Sequence, residues 1–174
     1  MRQDETSLVN QAVDQARETL ARSGRVLPAA YMLVTRNPQT SAPLAQPTAI
    51  GTQLEAPLSS HADYQELLVS LREEAARLAA LAVVLCGEAL AEIDDAGALS
   101  QRRVFFVRIE DQEGVHHLHA AIESASGGGP RLGTLMASPD ASDDVDAPLL
   151  PRPCPRGAHA PPIAQLTGRA QEDD

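Results

Sequence analysis

The sequence predicts an α+β domain: a mostly antiparallel sheet of about five or six strands with two helices on one face, followed by a disordered C-terminal tail. Three observations carry this. Two stretches repeat apolar residues at helical spacing. Several others are continuously apolar or alternate with period two, and one pair of these flanks a tight polar turn. From Ser138 onward periodicity is lost, and proline and aspartate take over.

Taken in order, Leu8, Ala12, Val13, Ala16 and Leu20 form one stripe and predict a helix from about Asp4 to Ser23. Asp4 and Glu5 at its start and Arg22 near its end suit the helix dipole. Gly24 is the natural stop. Val26 to Arg36 reads as a strand covered on both faces, with Pro28 at its start because proline cannot donate to a ladder. Asn37 to Pro47 reads as a loop, and a second strand, weakened by Gly51, runs from Thr48 to Leu54. Ser60-His61-Ala62-Asp63 has the capping form that opens a helix. Tyr64, Leu67, Leu68, Leu71 and Ala75 are its buried stripe, while Arg72, Glu73 and Glu74 face water. No glycine or proline marks its end, which falls near Ala76, because Leu78 to Ile93 is too continuously apolar for an amphipathic helix and reads as a long strand.

After a loop over Asp94 to Ser100, the strands Arg102 to Glu110 and Val115 to Glu123 form a hairpin across Asp111 to Gly114. Phe105, Val107 and Ile109 share one face; Phe106, Arg108 and Glu110 share the other. On the second strand Leu118, Ala120 and Ile122 are the expected core face. A glycine-rich loop, Ser126 to Pro130, leads to a last strand near Leu132 to Ala137. The order is α-β-β-α-β-β-β with one possible extra strand. Residues 1–137 form a single domain and 138–174 the tail, with seven acids against three arginines.

Three short motifs fall at corresponding places in a group of small bacterial α+β proteins of no assigned activity. They are Gly24-Arg-Val-Leu-Pro28, Arg77-Leu-Ala-Ala-Leu-Ala-Val-Val, and Val107-Arg-Ile-Glu110-Asp-Gln-Glu-Gly114. Over Arg25 to Ala137 the chain resembles that group. The resemblance implies the topology and brings no site residues with it. The element order is also that of roadblock-type domains, except that those close with a further helix.

Composition excludes several functions. Acids outnumber bases 24 to 14, giving a formal charge of −10, and every base is arginine. Without lysine there is no Schiff-base or P-loop chemistry. Without a basic cluster there is no footprint for nucleic acid or an anionic membrane. Aromatics are limited to Tyr31, Tyr64, Phe105 and Phe106, too few for a base-stacking platform. The N-terminus lacks the apolar run of a secretory signal, and the longest apolar stretch is too short to span a bilayer. Two cysteines, Cys86 and Cys154, do not make a disulfide scaffold. The chain is expected to be cytoplasmic, and its alanine- and arginine-rich, lysine-free composition is that of a GC-rich bacterial genome.

One cluster stands out, His116-His117-Leu118-His119. On a strand His117 and His119 point the same way, and Glu123 lies further along that face. Such a His-x-His pair binds zinc when a third ligand joins it, from Glu123 or from Glu110 across the hairpin. The alternative is the solvated face of a half-exposed sheet. Cys86 sits among apolar neighbours with no base nearby and reads as a buried, inert thiol rather than a nucleophile. Ser126 to Pro130 lacks the lysine and following helix of a phosphate loop. Arg102 and Arg103 beside the two phenylalanines read as a strand start, and Glu88, Glu92, Asp94 and Asp95 as a solvated acidic stretch. Pro148-Leu-Leu-Pro151 has the spacing of a polyproline ligand.

The sequence therefore points to a non-catalytic protein-binding module, an adaptor or accessory subunit, with no catalytic residues and no cofactor. Its expected partner surface is Phe106, Arg108, His117 and His119, and homodimerisation through the open sheet face is a further expectation. Two alternatives stand beside it. One is a metal-binding protein or enzyme built on His117 and His119, with zinc as the cofactor. The other is an acidic immunity protein or inhibitor that is steered to a basic partner.

Overall fold

The computed structural model describes residues 3–54, 60–95, 98–124, 129–138 and 148–150. Two helices, α1 (Gln3–Ser23) and α2 (His61–Arg77), accompany seven strands. These are β1 (Ala29–Arg36), β2 (Pro43–Gln53), β3 (Ala80–Asp95), β4 (Ala98–Asp111), β5 (Val115–Ser124), β6 (Pro130–Leu132) and β7 (Met136–Ala137). The sheet order is β2-β1-β3-β4-β5-β6, with β7 also paired to β5, and every pairing is antiparallel. The α+β class and the antiparallel sheet are as expected.

The arrangement of the helices is not. The expected placement of both on one face is corrected by the alternation of side chains in the central strands. Ala82, Val84 and Cys86 of β3 pack with Leu8, Ala12 and Ala16 of α1. Val83 and Leu85, pointing the other way, pack with Leu68, Leu71 and Ala75 of α2. The sheet is thus the middle layer, with one helix on each side. The sequence already held the reason. Strands β1 and β3 are apolar at consecutive positions, the pattern of a strand buried on both faces.

Boundaries shift where local signals mislead. Of the residues read as loop before Thr48, Pro43 to Pro47 belong to β2, which lies at the sheet edge, where proline is tolerated. Gly51 does not leave a gap there, because the Tyr31 ring of β1 lies over it, 2.7 Å from where a Cβ would stand. The loop read between β3 and β4 shrinks: pairing continues to Asp95 opposite Ala98. The expected last strand is two short ones, β6 and β7.

The helix signals are built as read. The Ser60 side chain accepts from the Asp63 amide at 3.1 Å, and Gly24 closes α1 in the left-handed region, φ 72°, its amide donating to the Leu20 carbonyl. The end of α2, which no glycine announces, uses Ala79 at φ 48° instead. Among the described residues no helix is long and apolar enough to cross a membrane. The tail expectation, including Pro151 and Cys154, falls mostly outside the described residues, as does 125–128 of the glycine-rich loop. The exception is Pro148–Leu150, whose two leucines pack into the core of the second face.

Candidate functional site

The two faces of the sheet are closed differently. On the α1 face, the odd-numbered side chains of β4, Phe105, Val107 and Ile109, are buried among apolar neighbours. On the α2 face the register sets Phe106 opposite His119 and Arg108 opposite His117, with Glu110 beyond them opposite Val115. The four residues expected to form a partner surface do therefore share one face.

They are not all at the surface. Arg108 is 3% exposed and Glu110 1% exposed. The Arg108 guanidinium donates from Nη2 to Glu110 Oε2 at 3.2 Å. Phe106 is half-buried, its ring lying over Gly87, where an added Cβ would stand 3.1 Å away. His117 and His119 are half-buried toward the β5 side. The expectation that Arg108 is exposed is thus corrected. The open face expected for homodimerisation is corrected as well. It is occupied by α2 and by a segment from far along the chain.

That segment is Pro148–Leu150. The Glu110 carboxylate accepts from two consecutive main-chain amides, that of Leu149 at Oε2 (2.9 Å) and that of Leu150 at Oε1 (2.8 Å). Arg72 of α2 donates from Nε to the Pro148 carbonyl at 2.8 Å. Leu149 and Leu150 are 0% and 6% exposed, within the cluster that holds Met32, Leu68, Leu71 and Leu85. These three hydrogen bonds all reach the main chain of the segment, and its buried side chains are two leucines. A charged carboxylate in an apolar layer is costly unless its oxygens are satisfied. Here two amides and a guanidinium do so.

The energetics of docking are close to balanced. Burying two leucines yields about 3–6 kcal/mol. Ordering three residues costs about 3–6 kcal/mol of backbone entropy, and two leucine side chains add roughly 1–2 kcal/mol. The three main-chain hydrogen bonds, at about 1 kcal/mol net each and more where the acceptor is charged, tip the balance. The segment is held by a margin of a few kcal/mol.

Other candidates resolve as follows. Among the described residues no group of three His, Cys, Asp or Glu side chains converges to hold a metal ion. Glu123 is exposed and lies opposite Arg131 of β6, and Glu110, the other possible third ligand, is engaged by Arg108 and the two amides. Cys86 is buried, its thiol donating to the Ala29 carbonyl at 3.5 Å. Burial pushes that thiol up to about 12, so it offers no thiolate. A cleft of about 550 Å³ is lined by Arg25, Val26, Glu88, Leu90 and Arg103 among others. Its central charges are committed to structure. Arg103 donates to Glu88 at 2.6 and 2.8 Å and to the Gly24 carbonyl at 2.7 Å, and Glu88 accepts the Val26 amide at 3.1 Å. Burial raises the Glu88 carboxyl, but Arg103 and the Val26 amide outweigh it and hold it below its ordinary value. The side chains of residues 92–99, including the rest of the expected acidic stretch, lie outside the described residues.

The tail segment and the Arg108–Glu110 pair are what sequence reasoning missed as parts of one site. One signal was available: Leu149-Leu150 is the only adjacent pair of large aliphatic residues after Ser138. No known protein family, curated protein or solved structure matches this chain.

Proposed function

We propose that the chain is a non-catalytic protein-binding module, an adaptor or accessory subunit, that receives its partner on the α2 face of the sheet. The observation that supports this reading is the polar centre of that face. A buried carboxylate takes two successive amides of a bent segment, and an arginine from α2 takes a carbonyl of the same segment. Phe106, His117 and His119 extend that surface toward β5.

A displayed library of ten-residue peptides, selected on the full chain, tests the reading. Selected peptides are expected to lose about tenfold in affinity, about 1.4 kcal/mol, against Arg72→Ala or Phe106→Ala, with the circular dichroism of both variants unchanged. Failure to enrich any peptide, or peptides indifferent to both substitutions, counts against a binding surface on this face.

A further inference from the structure

We infer that Pro148–Leu150 is a displaceable internal ligand, and that the groove it fills takes a short bent segment of a second protein carrying two adjacent leucine-like residues with free main-chain amides. This rests on the protein-binding reading above and names the partner chemistry and the regulation of that site.

Three observations converge. First, the segment adds neither a strand nor a helix. It meets the domain through main-chain bonds to Glu110 and Arg72, 39 or 40 and 76 residues away. Any chain that presents two amides, a preceding carbonyl and two aliphatic side chains satisfies the same partners. A chain with proline at the position of Leu149 or Leu150 does not, because it lacks an amide for Glu110. Second, the Arg108 guanidinium and the Glu110 carboxylate are built into β4 itself, so the polar centre belongs to the domain and not to the segment. Third, nine residues separate Ser138, whose amide donates to the His117 carbonyl, from Pro148.

A tether of that length sets an effective concentration on the order of millimolar. The chain therefore competes with its own partner. A protein whose groove is open only a fraction of the time shows an affinity lowered by that fraction. For a segment that binds in the tens to hundreds of micromolar, the tether lowers the apparent affinity for a partner by about tenfold to a hundredfold.

The test is a titration of the synthetic peptide Asp146–Arg152, with blocked ends, into isotopically labelled full chain, followed by amide NMR. With Leu149→Asn/Leu150→Asn the peptide is expected to bind at least about tenfold more tightly than with the wild-type chain. The shifts should centre on Val83, Glu110 and Arg72. The same peptide with proline at the position of Leu150 should not bind. Equal affinity for both chains overturns the internal competition while leaving a binding surface in place. No binding to a folded variant overturns the groove as a separable site, and the library selection then decides the protein-binding reading by itself. Should the double variant not fold, the wild-type chain still answers. At several millimolar peptide the Leu149 and Leu150 resonances are expected to move to free-chain positions, and resonances that stay in place overturn the proposal.

Discussion

The two faces of one sheet differ in what closes them. The α1 face is closed by a helix contiguous with the strand it feeds, over a core of Leu8, Val84, Phe105 and Val107, with Glu5 and Thr19 of the helix also buried. The α2 face is closed by a shorter helix and a three-residue segment from far along the chain, around a buried arginine–glutamate pair. The first arrangement gives stability at low cost in specificity. The second pays desolvation for a polar centre that reads main chain. A buried ion pair that merely filled space would be replaceable by apolar residues with no loss. Glu110 is placed instead where two amides arrive. On this face a buried polar centre, and not an exposed one, holds the segment from far along the chain.

The largest expected effects lie in the cores. Phe105→Ala, on the α1 face, should cost about 3–5 kcal/mol in denaturant unfolding. Leu149→Ala should cost much less than the about 2–5 kcal/mol of a typical buried leucine, because undocking of the segment caps the loss. Equal costs for Leu8→Ala and Leu149→Ala would erase the distinction between the faces. Next comes the polar centre. Glu110→Ala leaves the Arg108 guanidinium buried without its carboxylate and should cost about 3–5 kcal/mol, whereas Arg108→Met with Glu110→Leu should recover most of that loss. In the same double variant the resonances of Leu149 and Leu150 should show the segment released.

Two carboxylates, Asp111 and Glu88, give stability a pH dependence. Asp111, at the β4–β5 turn, is raised by burial. The amides of Glu113 and Gly114, together with the Glu5 side chain and His116, outweigh that and hold it below its ordinary 3.8. Glu88 is held below its ordinary 4.5. Each binds its proton less readily in the folded chain than in the unfolded one. Their contribution is therefore complete above the ordinary values and is lost as pH falls through the lowered folded values. Thermal midpoints should be level through neutral pH and drop below about pH 4, and Glu88→Gln should make that drop shallower.

The smallest effect sharpens the α2 side. Ala79 holds the left-handed region at the end of α2. Ala79→Gly should raise stability by about 1 kcal/mol, measured by the denaturation midpoint.

Much of this fold was legible in residue spacing, and the failures have physical causes. The caps at Ser60 and Gly24 and the hairpin across Asp111 to Gly114 follow from local rules that tertiary structure did not override. The end of α2, expected near Ala76 and found at Arg77, was legible only from the apolar run that follows, because alanine at position 79 carries no left-handed signal. The period-two pattern of β4 placed Phe106, Arg108 and Glu110 together correctly. That pattern reports which residues share a face, and it is silent on what covers the face. Arg108 and Glu110 looked solvated because charged residues usually are. Glu110 is met there by the amides of Leu149 and Leu150, and a three-residue segment within a proline- and aspartate-rich tail carries no periodicity to announce it.

The central claim is that the α2 face is closed by a segment that leaves while the rest of the domain stays folded. Native-state hydrogen exchange of the wild-type full chain tests it most directly. The amides of Leu149 and Leu150 are expected to exchange at least about a hundredfold faster than those of Val84 and Val107 in the central strands, which open only with the whole domain. Exchange of all four at one common rate would show the segment to be as permanent as the sheet, and would contradict the account.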